Sequence, residues 1–362
     1  MKAMILAAGG GTRLYPLTFS LPKPMAPVMN RPVMEHIIEH LKQHNFNEIM
    51  VNLHNFPHSI ENYFKNGKDF GVRMKYSHET ELLGTAGGVK KVERFFDDTF
   101  LVTGGDDLHD IDLTALVNFH KEKNALATIG LSPVEQVQHY GVVVTDNEGK
   151  ILEFQEKPDP EEAKSKWVNN GLYIFEPQVL EMIPPNTFYD FGSELFPLLK
   201  EQGAPFYGFK THDYWKDIGN LVEYRKAHFD CLKNKVCVNF PGEEIRPDIW
   251  VEEDVDLPED IEIKPPVLIG KQCKFGKNVK LHGPLVMGKY NVIDDNTKVI
   301  RSIMWDFNHI RKNSRIVDCL IGDECMLDGG SDYEETVLGS EMKYVFNDYF
   351  RHKRMVVSCK NS

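Results

Sequence analysis

Three consecutive glycines, Gly9-Gly10-Gly11, lead into Thr12-Arg13, and Pro22-Lys23-Pro24 follows shortly after. A glycine loop leaving a strand exposes main-chain N–H groups and lets the backbone approach a phosphate closely. Arg13 and Lys23 add positive charge to the same stretch. From Met1 to Met34 there is no Asp or Glu, while Lys2, Arg13, Lys23 and Arg31 are present, in a chain of 362 residues whose formal net charge is −12. An acidic protein with a purely basic opening segment reserves that segment for an anion. The loop is not a P-loop, because Gly-x-x-x-x-Gly-Lys-Ser/Thr is missing. Pro16 also stands where a dinucleotide fingerprint requires a helix to begin directly.

Two other groups of reactive side chains carry less. His36-Ile37-Ile38-Glu39-His40 matches the H-x-x-E-H pattern of some zinc proteases, but zinc hydrolysis needs a third ligand and none is evident. The six cysteines lie between Cys231 and Cys359 without a C-x-x-C pair, so buried free thiols are expected. The net negative charge disfavours nucleic acid as a partner. No apolar run reaches the roughly 20 residues of a membrane-spanning helix, and Met1–Ala8 reads as a strand of a cytoplasmic protein.

These residues need a scaffold, and the hydrophobic pattern supplies one. Lys2–Ala8, Glu48–Leu53, Val72–Ser77, Phe100–Thr103 and Ala127–Leu131 read as short apolar strands. Between them, Val33–His44, Ala86–Phe95 and Leu113–Lys123 carry apolar residues at helical spacing. Such alternation predicts an α/β domain with a mostly parallel sheet and helices on both faces, over residues 1–235. Ligands of such sheets sit at the carboxyl ends of the strands. Asp106, just past one strand end, is open to two readings, ligand or helix cap, and Asp107, Asp110 and Asp112 would cap equally well.

From about Val236 the pattern changes. Pro241, Pro247, Pro258, Pro265 and Pro266 interrupt the chain, and then Ile269, Phe275, Leu281, Met287, Ile293, Val299 and Trp305 recur every six residues, with Gly270, Gly276 and Gly288 directly after three of them. This is the hexad of a parallel β-helix, predicted over 236–362. The period slips around Asn308–Arg315 and resumes at Ile321-Gly322 and Leu327. Cys273 and Cys325 fall at small, inward-facing hexad positions, where core filling outweighs any catalytic role.

The run Leu6-Ala7-Ala8-Gly9-Gly10-Gly11-Thr12-Arg13-Leu14-Tyr15-Pro16-Leu17-Thr18, with Pro22-Lys23-Pro24-Met25 after it, resembles the signature of the sugar nucleotidyltransferases. The resemblance covers nearly the whole chain and implies a Rossmann-like catalytic domain followed by a left-handed β-helix. It implies a reaction of a nucleoside triphosphate with a sugar 1-phosphate, giving a nucleotide sugar and pyrophosphate, with Mg²⁺ as cofactor. Leu6, Ala8, Gly9, Gly10, Gly11 and Thr12 would hold the nucleotide. Arg13 would contact the leaving phosphates and Lys23 the α-phosphate. In Leu83-Gly84-Thr85-Ala86-Gly87, Gly84, Thr85 and Gly87 would hold the base. Asp106 and Asp217, the latter in Trp215-Lys216-Asp217-Ile218-Gly219, would bind the metal. Tyr140, Gly141, Glu156, Lys157, Asn170 and Gly171 would grip the sugar phosphate, Lys157 offsetting repulsion between the two anionic substrates. The chemistry fits these types, because such transfers proceed by positioning and charge neutralisation without a protein nucleophile.

Glu79-Thr80-Glu81-Leu82-Leu83-Gly84-Thr85-Ala86-Gly87 resembles the base loop of mannose-1-phosphate guanylyltransferases, which implies GTP and GDP-mannose. Uridylyl-, thymidylyl- and adenylyltransferases of glucose 1-phosphate are the alternatives, and a non-catalytic nucleotide-sugar sensor is an alternative of another class. Two segments depart from the family pattern: Gly104-Gly105-Asp106 replaces Asn-Gly-Asp or Asn-Ser-Asp, and Phe191-Gly192-Ser193-Glu194 replaces Ser-Ile-Glu-Lys-Glu. A homo-oligomer assembled through the β-helix is expected.

Overall fold

The computed structural model describes residues 1–340 together with the backbone of 345–346. The basic run Arg351–Arg354 and Cys359 lie outside the described residues. By proximity along the folded chain there are two compact units, one of Met1–Gly10, Pro22–Met25 and Met34–Asp217, the other of Gly11–Leu21, Ala26–Val33 and the described residues from Ile218 onward.

The first unit is built on a nine-stranded sheet. Lys2–Leu6 lies at its centre, parallel to Glu48–Leu53 on one side and to Phe100–Gly104 on the other, with Arg73–His78 parallel beyond Glu48–Leu53. Past Phe100–Gly104 the sheet is mixed. Trp167–Phe175 runs antiparallel to it and to Ala127–Pro133, and the hairpin Gly141–Thr145/Ile151–Glu156 follows. Strand order therefore reverses at Lys2–Leu6, and the glycine loop leaves the sheet at that switch point.

Side-chain alternation explains why the sheet is covered twice. Ala3 and Ile5 face one apolar cluster with Ile37, Ile38 and Leu41 of helix Val33–Gln43 and with Leu113, Leu116 and Val117 of helix Leu113–Glu122. Met4 faces the other, with Ala86 and Val89 of helix Gly84–Lys91 and an aromatic group that includes Phe175, Phe191 and Phe196. Asp112 caps Leu113–Glu122, accepting from Ala115 N at 2.9 Å, so the capping alternative for Asp106 goes to its neighbour.

The second unit is a three-faced prism of short parallel strands. One face stacks Val267–Ile269, Leu285–Met287, Ile303–Met304, Leu320–Ile321 and Val337–Leu338. Early coils span 18 residues, as between Asn278 and Asn296, and later ones 17, as between Asn296 and Asn313. The residue is lost at a corner, where Arg301-Ser302 replaces the longer turn Gly283-Pro284-Leu285; Met304 rather than Trp305 therefore stacks on Met287, and the hexad breaks before Trp305, ahead of the slip read at Asn308–Arg315. Gly270 stands where a side chain would meet Gly288 of the next coil at 2.4 Å, which is why the hexad demands a small residue there. Cys273, Cys319 and Cys325 are buried in the prism, and burial pushes the thiols of Cys273 and Cys319 up to about 12.

Helix Leu221–Leu232 belongs to this unit because its buried face is bonded within it. The Tyr224 hydroxyl donates to Pro27 O and accepts from the Trp305 indole N–H at 2.8 Å, and Arg225 pairs with Asp318. No helix among the described residues is long and apolar enough to cross a membrane.

His109 sets an acid limit on the first unit. It is 6% exposed, neither ring nitrogen has a hydrogen-bond partner among the described residues, and the His40 ring lies 5.0 Å away. Burial, reinforced by His40 and His44, lowers its pKa to about 3. The unfolded chain takes up this proton near pH 6.5 and the folded chain does not, so stability is full above that pH and declines as pH falls toward 3. Thermal unfolding from about pH 7 to about pH 5 is expected to show a falling Tm, and His109→Leu to flatten that fall. An unchanged slope in the variant would assign the effect to other groups.

Candidate active site

An open cleft of about 370 Å³ lies in the first unit at the carboxyl ends of the central strands. Its floor is Leu6, Ala8 and Gly9 from the glycine loop, with Gly104 and Asp106 beside them. Gly84 and Thr85 line another wall, and Gly171 and Tyr173 a third. At the rim, Leu82 is 47% and Phe188 59% exposed, so the cleft offers apolar surface suited to a flat heterocycle as well as polar groups.

Lys23 marks the charged centre. Although only 7% exposed, its ammonium donates to Asp106 Oδ2 and, at 3.3 Å, to Asp217 Oδ1. Burial opposes its charge, but attraction to Asp106 and then Asp217 outweighs burial and raises the lysine pKa. The two carboxylates come from distant parts of the chain. They meet because Asp107–His109 and Trp215–Asp217 form a two-stranded antiparallel ribbon in which Asp217 pairs with Asp107.

Glycines let the ribbon and loop close up. Gly105 N bonds to Leu6 O at 2.9 Å, and a Cβ at Gly105 would lie 3.1 Å from that oxygen. A Cβ at Gly104 would meet Asp107 Oδ2 at 2.5 Å, so the departure from Asn at this position leaves its space to a carboxylate.

The donor set suits a hard divalent cation. Asp106, Asp217 and the nearby Asp107 carry three negative charges against the single positive charge of Lys23. Mg²⁺ takes one or two protein carboxylates and completes its shell with water and phosphate oxygens. Among the described residues no group of three or more His, Cys, Asp or Glu is placed to hold a metal ion, so any Mg²⁺ here would rest on two carboxylates, and His40 of the H-x-x-E-H segment bonds through Nε2 to Ile111 O at 2.7 Å.

The loop assigned to the base is docked on a segment that sequence reasoning missed. Ala86 N and Gly87 N both bond to Tyr189 O, at 3.0 and 2.9 Å, and Tyr189 N bonds to Leu83 O at 2.8 Å. The Thr85 hydroxyl donates to Asp190 Oδ2 at 2.8 Å and accepts from Phe191 N. Gly84 and Gly87 are needed for this approach: a Cβ on either would come within 2.6 Å of a carbonyl oxygen, of Tyr189 and Thr187 respectively. Gly84 and Thr85 line the cleft, while the N–H of Gly87 is spent on the docking. Phe188 and Asp190 also line it; the only signal for them was the unusual stretch that begins at Phe191.

The sugar-side residues separate into two groups. Gly141 pairs with Glu156 across the hairpin and Lys157 N bonds to Tyr140 O at 3.1 Å, which brings these four together, with the Tyr140 ring 5.5 Å from Trp215. Of Asn170-Gly171, Gly171 faces the cleft with a positive φ of 80°. Asn170 is fully buried and its amide is used inside the fold, donating to Ser132 Oγ at 3.1 Å and accepting from Leu172 N at 3.2 Å. Gly10 follows the floor of the cleft. Gly11, Thr12 and Arg13 belong to the second unit, where Thr12–Leu14 is a single 3₁₀ turn and Gly11 accepts from the Thr18 hydroxyl at 2.9 Å.

The nucleotidyl transferase family model matches residues 2–234, and this chain belongs to that family. More narrowly, it is a sugar-1-phosphate nucleotidyltransferase. It is 44% identical over 337 residues to a UTP–glucose-1-phosphate uridylyltransferase of Synechocystis, covering 89% of this chain and 87% of that one. It is 32% identical to a mannose-1-phosphate guanylyltransferase of Mycobacterium tuberculosis over 64% of this chain and 65% of that protein. Among solved structures, one described as a glucose-1-phosphate thymidylyltransferase from Bacillus anthracis in complex with sucrose superposes with a TM-score of 0.59 at 26% identity, over 67% of this chain and 98% of that one.

The charged centre makes a direct prediction. Asp106→Asn removes one of the two carboxylates that hold Lys23 and is expected to lower turnover about a hundredfold or more, as is Lys23→Ala. Steady-state pyrophosphate release checks both, with circular dichroism confirming the fold; activity within a few-fold of the parent in either variant places the reacting phosphate elsewhere.

Proposed function

We propose that this chain transfers the uridylyl group of UTP to glucose 1-phosphate, forming UDP-glucose and pyrophosphate. The observation that carries this reading is the 44% identity to the Synechocystis uridylyltransferase, which extends over 89% of the chain and so includes the prism as well as the catalytic unit. The guanylyltransferase relative matches over 64% of the chain. GTP with mannose 1-phosphate is the second reading, favoured by the Glu79–Gly87 loop.

The residues divide the work as follows. A phosphate oxygen of the sugar 1-phosphate attacks the α-phosphorus in line with the departing pyrophosphate, so the P–O bond to the sugar phosphate forms as the bond to pyrophosphate breaks. Main-chain N–H groups of the glycine loop orient the triphosphate, Arg13 offsets charge on the leaving phosphates, and Lys23 offsets charge on the α-phosphate. Lys157 does the same for the sugar phosphate, and Tyr140, Gly141, Glu156 and Gly171 shape the sugar end. Asp106 and Asp217 would hold Mg²⁺, which when bound would further neutralise the phosphate charge. Assembly into a homo-oligomer through the prism is part of the same proposal, and gel filtration tests it: elution as a monomer alone would remove it.

Substrate choice is tested by pyrophosphate release with UTP, GTP, dTTP, ATP and CTP, each paired with glucose 1-phosphate and mannose 1-phosphate in Mg²⁺. UTP with glucose 1-phosphate is expected to lead. A lead for GTP with mannose 1-phosphate establishes the second reading, and silence in every pair from folded protein points to a nucleotide-sugar sensor.

A further inference from the structure

The strand Glu48–Leu53 is apolar toward the interior, with Ile49, Val51 and Leu53 fully buried and Met50 nearly so, yet it carries Asn52 at 3% exposure near its carboxyl end. A buried primary amide is costly unless both of its ends are bonded. Both are. Asn52 Oδ1 accepts from Ala7 N, the residue that opens the glycine loop, at 2.8 Å. Its Nδ2 donates to Glu79 Oε1 at 2.7 Å, and Glu79, 4% exposed, accepts from Leu83 N through Oε2 at 3.0 Å. Leu83 is the residue from which helix Gly84–Lys91 starts.

One side chain thus joins the loop on the cleft floor to the turn that carries Gly84 and Thr85. The geometry is fixed from three directions. Asn52 is paired with Leu6 in the sheet, so its amide is level with the start of the glycine loop. Glu79 N bonds to Leu53 O at 2.7 Å, which anchors the turn to the same strand end. On the third side, Gly88 leaves room for the pair, since a Cβ there would lie 2.7 Å from Glu79 Oε1 and 3.0 Å from Asn52 Nδ2. Asn52 and Glu79 both border the cleft.

We infer that Asn52 is a positioning residue that sets the spacing between the glycine loop and the Glu79–Leu83 turn, so that the phosphates and the base of the nucleotide are held in one frame. The inference rests on the reading of this cleft as the nucleotide site. It assigns Asn52 an effect on the nucleotide and none of its own on the sugar phosphate. Asn52→Asp keeps the acceptor for Ala7 N but sets a carboxylate against Glu79 Oε1. Adding Glu79→Gln reverses the polarity of the bond, with the glutamine amide donating to Asp at position 52 and its oxygen accepting from Leu83 N.

The test compares the parent, N52D, E79Q and the double variant in pyrophosphate release. N52D is expected to raise KM for UTP by about tenfold or more, with KM for glucose 1-phosphate within about twofold, and the double variant to return KM for UTP to within about threefold of the parent. If N52D fails to fold, the comparison of the double variant with E79Q alone carries the test, the double variant being expected to bind nucleotide more tightly. The inference is overturned if N52D changes both KM values alike, or if a double variant with the parent's Tm shows no recovery in KM for UTP. Should the parent itself release no pyrophosphate, the proposed reaction fails, and calorimetric titration of UTP and GTP without sugar decides the positioning role by the same pattern in Kd.

Discussion

A lysine ammonium withdrawn from water stays charged only where carboxylates hold it, and much of the catalytic unit is arranged to hold Lys23. Asp106 and Asp217 stand 111 positions apart in sequence and meet at one nitrogen. That requires the ribbon of Asp107–His109 with Trp215–Asp217, which in turn requires Gly104 and Gly105 to pass close to Asp107 and Leu6. The central strand must also deliver the glycine loop to the same place, which the reversal of strand order at Lys2–Leu6 accomplishes. The result is a buried ammonium held by two carboxylates, one of which, Asp106, also lines the cleft.

The glycines at the start of helix Gly84–Lys91 serve packing. Gly84 and Gly87 admit the carbonyls of Tyr189 and Thr187, and Gly88 admits the Asn52–Glu79 pair. A sequence motif rich in glycine is usually read as space for a phosphate or a base. Here several of those spaces are filled by the protein's own backbone and side chains, which packs this stretch against its neighbours. The docking of Thr85 on Asp190 adds a hydrogen bond between two wall segments over 100 residues apart.

What was legible in the sequence follows from periodicity and local chemistry. Glu48–Leu53 has the predicted limits, and the helices over Val33–Gln43 and Leu113–Glu122 end within a residue or so of those read from apolar spacing. The hexads located the prism because each coil buries the same positions. What escaped reading depends on contacts with no sequence period. Nothing local to Asn52 or Glu79 reveals that they face one another, nor does Tyr189 advertise that its carbonyl receives two N–H groups. Asn170, which the family resemblance places beside Gly171 at the sugar, is buried with its amide donating to Ser132 Oγ, a partner that no local pattern announces. The coil shortened from 18 to 17 residues was visible only as a slip, since losing one residue at a corner shifts the phase of the repeat without changing the fold.

The way the opening segment is shared has a consequence for how such chains can be recombined. Gly11–Leu21 and Ala26–Val33 cluster with the prism, while Pro22–Met25, with Lys23, clusters with the sheet. Asn30 donates to Glu252 Oε1 at 3.0 Å and to Met287 O at 2.9 Å, and Arg225 pairs with Asp318. A crossover between two homologous genes near codon 235 would therefore separate partners that fold together, although it falls between the two repeat patterns of the sequence. Exchange of the prism between relatives has to carry matching residues from the first thirty-three positions with it, so the two halves of the gene inherit as one unit.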